Sequence, residues 1–135
     1  MYNSAEVYKK NLINTTSSQN LVLMLYDGAI RFLKKAVTAL DEKDIPSVNQ
    51  NLIRAQDIIA ELMAGINFDA GEIARELYTL YEYMHYRLVQ ANLKKDKMAA
   101  VEITQMLGEL REVWAQIVKD PPGGLEKQRK AAAGS

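Results

Sequence analysis

Glu82 and His85 are the side chains whose types and spacing come nearest to a catalytic motif. They form a Glu-x-x-His pair in a segment with helical periodicity, so both would lie on one face of a helix. Carboxylate-bridged di-metal bundles need two such pairs and further glutamates. His85 is the single histidine of the chain, so the sequence supplies only half of such a site. We expect no bound metal, and a metal-dependent bundle enzyme remains only a distant alternative.

Other catalytic chemistry also lacks its residues. The chain has no cysteine, which excludes a thiolate nucleophile, a disulfide framework and a zinc–thiolate site. No glycine-rich phosphate loop follows a strand, because the sequence predicts no strand. Helical periodicity brings no serine or threonine together with a histidine and an acid. The sequence therefore predicts a protein that is not an enzyme and needs no cofactor.

The composition points away from nucleic acids and membranes as partners. Of 135 residues, 48% are hydrophobic and 25% are charged, and seventeen acidic residues balance seventeen basic ones. A neutral chain creates no overall field that would attract a polyanion. The N-terminal stretch MYNSAEVYKK has no apolar core of a signal peptide, and no run approaches the roughly 20 apolar residues of a membrane span. We expect a cytoplasmic protein without membrane insertion.

The elements that would position any binding residue are helices. Thr16 and Gln19 have the spacing of a capping box, Pro46 suits only a first helical turn, Gly65 suits a helix end and Asp96 suits an N-cap. These signals predict four helices, at about residues 18–40, 46–64, 71–93 and 96–119. Helices of this length with short connections predict an all-α fold, an antiparallel up-down-up-down four-helix bundle.

The ends of the chain differ from this middle. Residues 1–15 are expected to form a short N-terminal arm or helix, and residues 16–119 the bundle. Residues 120–135 show no periodic apolar face, and the final Ala-Ala-Ala-Gly-Ser has the composition of an added linker. We expect this tail to be disordered, and the sequence does not reveal its role.

The first predicted helix carries more apolar surface than one buried stripe requires. On a helical wheel its apolar residues cover about 220°, whereas burial in a bundle needs little more than about 100°. The third predicted helix has a core stripe from Ile73 to Ala91 and further apolar side chains beside it. Surplus apolar surface on a soluble domain usually marks a partner site. Two alternatives stay open: the whole arc of the first helix is core, or the surplus forms a symmetric dimer interface.

Several blocks of the sequence resemble the flagellar secretion chaperones of the FliS family. The blocks are MLYDGAI at 24–30, IIxELMxGI at 58–66, GEIAxELYxLYEYM at 71–84 and LxELRExW at 107–114. The resemblance extends over nearly all of residues 2–118, in the right order. One departure is Ala70-Gly71, where the family often has paired glycines. This difference concerns the geometry of the loop more than the partner.

The resemblance implies a bundle that binds flagellin in the bacterial cytosol before export. Its apolar grooves would receive the otherwise disordered C-terminal segment of flagellin, and components of the flagellar export gate are further candidate partners. We expect a monomer or weak dimer. The resemblance also implies that the N-terminal arm covers the groove in the unloaded protein, with Tyr8, Leu12 and Ile13 as the covering side chains.

The apolar arcs on the helical wheels also predict which side chains contact flagellin, which we call the client. They lie beside the core stripes of the first and third helices, where tyrosine supplies a large contact area with few torsions to immobilise. The predicted client-binding residues are Val22, Tyr26, Ile30, Leu33, Tyr78, Tyr86 and Val89. Gly28, within the first helix, is expected to mark close packing against another helix.

Overall fold

The fold is all-α, and the described part of the chain contains four α-helices. The computed structural model describes the backbone of residues 14–119 and the side chains of residues 19–119. The helices are α1 (Asn14–Asp41), α2 (Ile45–Ala64), α3 (Glu72–Lys94) and α4 (Lys97–Lys119), and a 3-10 helix at Phe68–Ala70 precedes α3. The predicted four-helix bundle is confirmed. None of the helices within these residues combines the length and apolar character needed to cross a bilayer.

The predicted position of Pro46 in a first helical turn and the predicted N-cap at Asp96 are confirmed. Asp44 caps α2 by accepting a hydrogen bond from the backbone N–H of Ser47 at 3.3 Å, and Pro46 lies in the first turn. Asp96 caps α4 by accepting from the backbone N–H of Met98 at 3.0 Å. These side chains satisfy N–H groups that have no partner within the helix.

The predicted start of the first helix is wrong. Helical backbone is already present at Asn14, so Thr16 lies within α1 and not at its N-cap. Residues 14 and 15 also belong to α1, although we expected the N-terminal arm to extend to residue 15. The remainder of the arm, residues 1–13, and the tail, residues 120–135, lie outside the described part of the chain.

The four helices form a closed ring in which each packs against two others. α1 packs against α2 and α4, and α3 also packs against α2 and α4, so α1 and α3 are diagonal to each other. Short connections make successive helices antiparallel. Each helix contributes one stripe to a common core, whose largest fully buried side chains are Tyr26, Leu33, Val48, Leu52, Ile59, Tyr81, Met84, Leu88, Ile103 and Leu107.

Tyr26 of α1 and Tyr81 of α3 meet across the diagonal of the ring. Their hydroxyl groups share a hydrogen bond, and their ring centroids lie 6.4 Å apart at an interplanar angle of 51°. Burial raises the pKa of both phenols, and the hydrogen bond with Tyr81 partly opposes the shift at Tyr26. Both phenols therefore stay neutral, and each satisfies the polar group of the other.

Ile73, which was predicted to belong to the core, is exposed, and so is Val113. Ile73 in the first turn of α3 is 77% exposed, and Val113 of α4 is 57% exposed. Ile73 lies at the end of the bundle, where neighbouring helices no longer cover it. Val113 lies about 120° around α4 from Leu107, at the edge of the buried stripe.

Gly28 lies where α1 packs closely against α2, and close packing at this residue was predicted. A Cβ atom at this position would lie 3.2 Å from Cδ1 of Ile58. Gly108 of α4 offers a contrast, because a Cβ atom there would meet no described atom within 4 Å. The two glycines thus have the same helical backbone but different surroundings.

Gly108→Ala should raise the free energy of unfolding by about 1 kcal/mol, the difference in helix propensity between the two residues. Gly28→Ala should raise the free energy of unfolding clearly less, because the added methyl group has to displace the side chain of Ile58. Urea unfolding followed by circular dichroism measures both. An equal gain at the two positions would contradict the close packing described for Gly28.

A double-mutant cycle can test whether the hydroxyl groups of Tyr26 and Tyr81 depend on each other. Tyr26→Phe and Tyr81→Phe should each cost about 1–3 kcal/mol, because each leaves one buried hydroxyl without its partner. The double variant should be more stable than the two single costs added together predict, since neither hydroxyl then remains. Additive losses in chemical denaturation would show that the two hydroxyls do not depend on each other.

Candidate functional site: the groove between α2 and α3

An apolar groove of about 370 Å³ runs between α2 and α3. We call it the α2–α3 groove and define it by its lining residues: Ala60, Met63 and Ala64 from α2, and Tyr78 and His85 from α3. The two alanines lie four residues apart, on one face of α2, and their small side chains leave room for close approach by another chain. Met63 adds a flexible side chain that can adapt to different apolar partners.

Aromatic side chains close the end of the groove where α2 finishes. The ring of Phe68, in the 3-10 helix, packs against Tyr78 with centroids 5.3 Å apart and planes tilted by 57°. Asn67 holds this turn, because its side-chain oxygen accepts a hydrogen bond from the backbone N–H of Asp69 at 3.0 Å. Phe68 is about half exposed, so it can contact both Tyr78 and a molecule in the groove.

The same surface continues toward the opposite end of the bundle. Ile53 is exposed and lies seven residues before Ala60, on the same face of α2. From Ile53 to Ala64 the surface extends over about 16 Å, at 1.5 Å per residue. Beyond it, the ammonium group of Lys95 donates hydrogen bonds to side-chain oxygens of Asn49 and Asn92. This polar bridge joins the two helices where the apolar surface ends.

The groove has the chemistry of a binding surface. Its lining combines aliphatic, aromatic and thioether groups, and His85 is its one titratable side chain besides the Tyr78 phenol. Within residues 14–119, no group of three or more histidine, cysteine, aspartate or glutamate side chains could hold a metal ion. The arrangement is suited to covering the apolar face of another chain.

Three of the predicted client-binding residues lie on the helix that borders this groove. Tyr78 lines it. Tyr86 is 61% exposed, and Val89 is partly buried four residues after His85, on the same side of α3. Their role in binding stays a prediction: Tyr78 and Val89 present surface at or beside the groove, whereas Tyr86 lies about 100° around α3 from His85.

The predictions on α1 need correction. Tyr26 and Leu33 are 0% exposed and belong to the core, so they are wrong as surface contacts. The reason is that α2 covers one side of α1 and α4 covers the other, which uses most of the wide apolar arc. Val22 and Ile30 are partly buried on α1, away from the α2–α3 groove. Tyr8, Leu12 and Ile13 lie outside the described residues.

Sequence reasoning missed the contribution of α2. Ala60, Met63 and Ala64 were not predicted to contact a client, and neither was Phe68. The available signal was a second apolar row on α2, beside the core stripe of Leu52, Ile59 and Leu62. Alanine is a weak hydrophobic marker, so this row is easily taken for a neutral helix surface.

Comparison with known proteins identifies the family of the chain. The family model described as "Flagellar protein FliS" matches residues 1–121. Among curated proteins, the flagellar secretion chaperone FliS of Bacillus subtilis (strain 168) is 36% identical over 117 residues, covering 87% of each chain. The protein of the same name from Salmonella typhimurium is 35% identical over 127 residues, covering 93% of each chain.

A third relative extends the comparison to another genus. The flagellar secretion chaperone FliS of Vibrio cholerae is 32% identical over 122 residues, which is 87% of this chain and 90% of the relative. The matched regions include all four helices of the bundle and therefore both sides of the α2–α3 groove. The chain belongs to the FliS family of flagellar proteins.

Proposed function

We propose that this protein is a cytoplasmic export chaperone that binds the C-terminal segment of flagellin and prevents its premature polymerisation. The observation that carries the proposal is the α2–α3 groove, an apolar surface that no described part of the chain covers. Family membership supports a role in flagellar secretion. The groove supplies the physical means, since a polymerising protein can be held back by covering its apolar contact surfaces.

An amphipathic helix is the form of client that fits this groove. Laying the apolar face of a helix into a hydrophobic groove is a common mode of peptide recognition. A surface of about 16 Å accommodates about 11 helical residues. A helix this short is marginal in water, so the client would become ordered on binding. The ordering cost offsets part of the gain from apolar burial, which keeps the complex reversible.

The mechanism needs only occupation of the groove. While the client lies against Ala60 and Ala64, its apolar face cannot pair with a second flagellin. Release restores the segment to its disordered form, in which it can be exported. The role of Tyr78 is to provide a broad contact surface beside these alanines, and Tyr86 and Val89 extend that surface along α3.

The N-terminal arm remains part of this proposal. Residue 14 begins the described part of α1, at the end of the bundle where α2 finishes and α3 begins, because successive helices are antiparallel. Thirteen extended residues reach at most about 45 Å, which is more than enough to arrive at the groove from there. Tyr8, Leu12 and Ile13 would then cover it until the client displaces them.

Introducing negative charge into the groove should weaken client binding. The probe is a peptide of flagellin's last roughly 40 residues, long enough as helix to cover about 60 Å of surface. Ala60→Glu and Ala64→Glu should each raise the Kd for this peptide at least tenfold, because a carboxylate would have to be buried without a partner. Isothermal titration calorimetry measures the affinity.

The matched control is Gln105→Glu, which places the same group on the exposed face of α4, away from the groove. It should leave the Kd unchanged, and circular dichroism should show that all three variants fold. Unchanged affinity in both groove variants would mean that the client lies elsewhere. Failure of the unmodified protein to bind the peptide would mean that the client itself is wrong.

A further inference from the structure

A cluster of positive charge lies on the side of the bundle formed by α1 and α2. Arg31, Lys34 and Lys35 of α1 and Arg54 of α2 make up this cluster, which we call the basic ridge. The side chain of Phe32 organises it: Cζ of Arg31, Nζ of Lys35 and Cζ of Arg54 lie 5.3, 5.9 and 5.5 Å from the centroid of its ring. These are distances at which a cation is attracted to an aromatic face.

The four cations of the basic ridge form no ion pair with a carboxylate of the described residues. The ion pairs among residues 19–119 join Arg87 to Glu102, Lys97 to Asp41, and Arg111 to Asp27 and Glu112. All four cations of the ridge are absent from these pairs. The ridge therefore carries an excess of unpaired positive charge although the whole chain has no net charge.

The ridge also has a shape that can receive a partner. A depression of about 610 Å³ lies along α1 and the start of α2. Ile30 and Ala39 give it apolar surface, while Arg31, Lys34 and Lys35 supply the charge. Two carboxylates also border it: Asp27, which Arg111 already binds at 2.7 Å, and Glu42, so the three cations outnumber the carboxylates. The depression therefore offers cations beside a small apolar area.

We propose that the basic ridge docks an acidic segment of a second protein, while the α2–α3 groove remains free for its own client. Glutamate and aspartate side chains would pair with Arg31, Lys34 and Lys35, and short apolar side chains of the same segment would contact Ile30. The two surfaces can be occupied together because α1 is diagonal to α3, and because on the shared helix α2 Arg54 lies about 120° around from Ala60. The inference goes beyond the proposed function and holds for any client of the groove.

The dimensions of the ridge favour a protein over a polyanion or a membrane. Arg31 to Lys35 extends over only about 6 Å of helix, whereas tight nucleic-acid binding adds many phosphate contacts along a longer path. The ring of Phe32 is partly buried and packed against the core, so it is not presented for stacking on a base. None of the large exposed apolar side chains of residues 19–119 belongs to the ridge, which leaves nothing to insert into a lipid surface.

A charge-reversal experiment on the full chain tests this proposal. The probe is a fluorescein-labelled peptide of about 12 residues, half glutamate and half alanine, which would span about 18 Å if it became helical on binding. Fluorescence anisotropy should show binding that weakens as salt is added, since partly exposed charges are screened. Lys34→Glu combined with Lys35→Glu should raise the Kd at least tenfold.

The control has the same change in net charge at a different place. Lys94→Glu combined with Lys119→Glu alters exposed lysines near the ends of α3 and α4, and it should change the Kd less than twofold. A peptide with glutamine in place of glutamate should not bind. Addition of the flagellin segment in excess should leave the acidic peptide bound, because the two surfaces are separate.

The proposal would be overturned if the acidic peptide did not bind, or if the ridge and control variants lost affinity equally. Displacement of the peptide by the flagellin segment would also overturn it, as would tighter ridge-dependent binding of another polyanion. The last is measured with single-stranded DNA of about 20 nucleotides and with vesicles containing anionic lipid. All variants should keep the circular dichroism spectrum and melting temperature of the unmodified chain, so that a lost interaction is not a lost fold.

Discussion

The contact between Tyr26 and Tyr81 is the interaction on which the arrangement of the bundle depends. Two large side chains from diagonal helices fill the middle of the core, and each hydroxyl satisfies the other. A single buried phenol there would leave an unpaired polar group, which is costly. Their meeting requires α1 and α3 to be diagonal, with α2 and α4 between them. This order determines which helix faces remain for partners.

That order of helices leaves two exposed surfaces that differ in their chemistry. Between α2 and α3 lies an apolar groove with small side chains at Ala60 and Ala64, suited to the apolar face of a helix. On α1 lies a row of cations around Phe32, suited to acidic side chains. Both surfaces are formed by side chains of packed helices, so the bundle can act as a rigid support. Affinity then depends on how much order the partner must gain.

Much of the fold could be predicted from single residues, but the site could not. Pro46 and Asp96 located helix starts because their effects are local. Thr16 gave a wrong start for the first helix because a capping-box spacing can also occur inside a helix. Tyr26 and Leu33 were misassigned because a helical wheel shows the width of an apolar arc but not which neighbours cover it. The groove residues of α2 were missed for the related reason that a groove exists only once two helices are paired.

The central claim is that a foreign helix occupies the α2–α3 groove, and the methyl groups of the methionines can report it directly. Met63 lines the groove, whereas Met98 is exposed at the start of α4, at the other end of the bundle. In a chain labelled with ¹³C at methionine methyl groups, the NMR signal of Met63 should shift or broaden when the flagellin segment is added, and that of Met98 should stay unchanged. A perturbed Met98 signal with an unchanged Met63 signal would contradict the account.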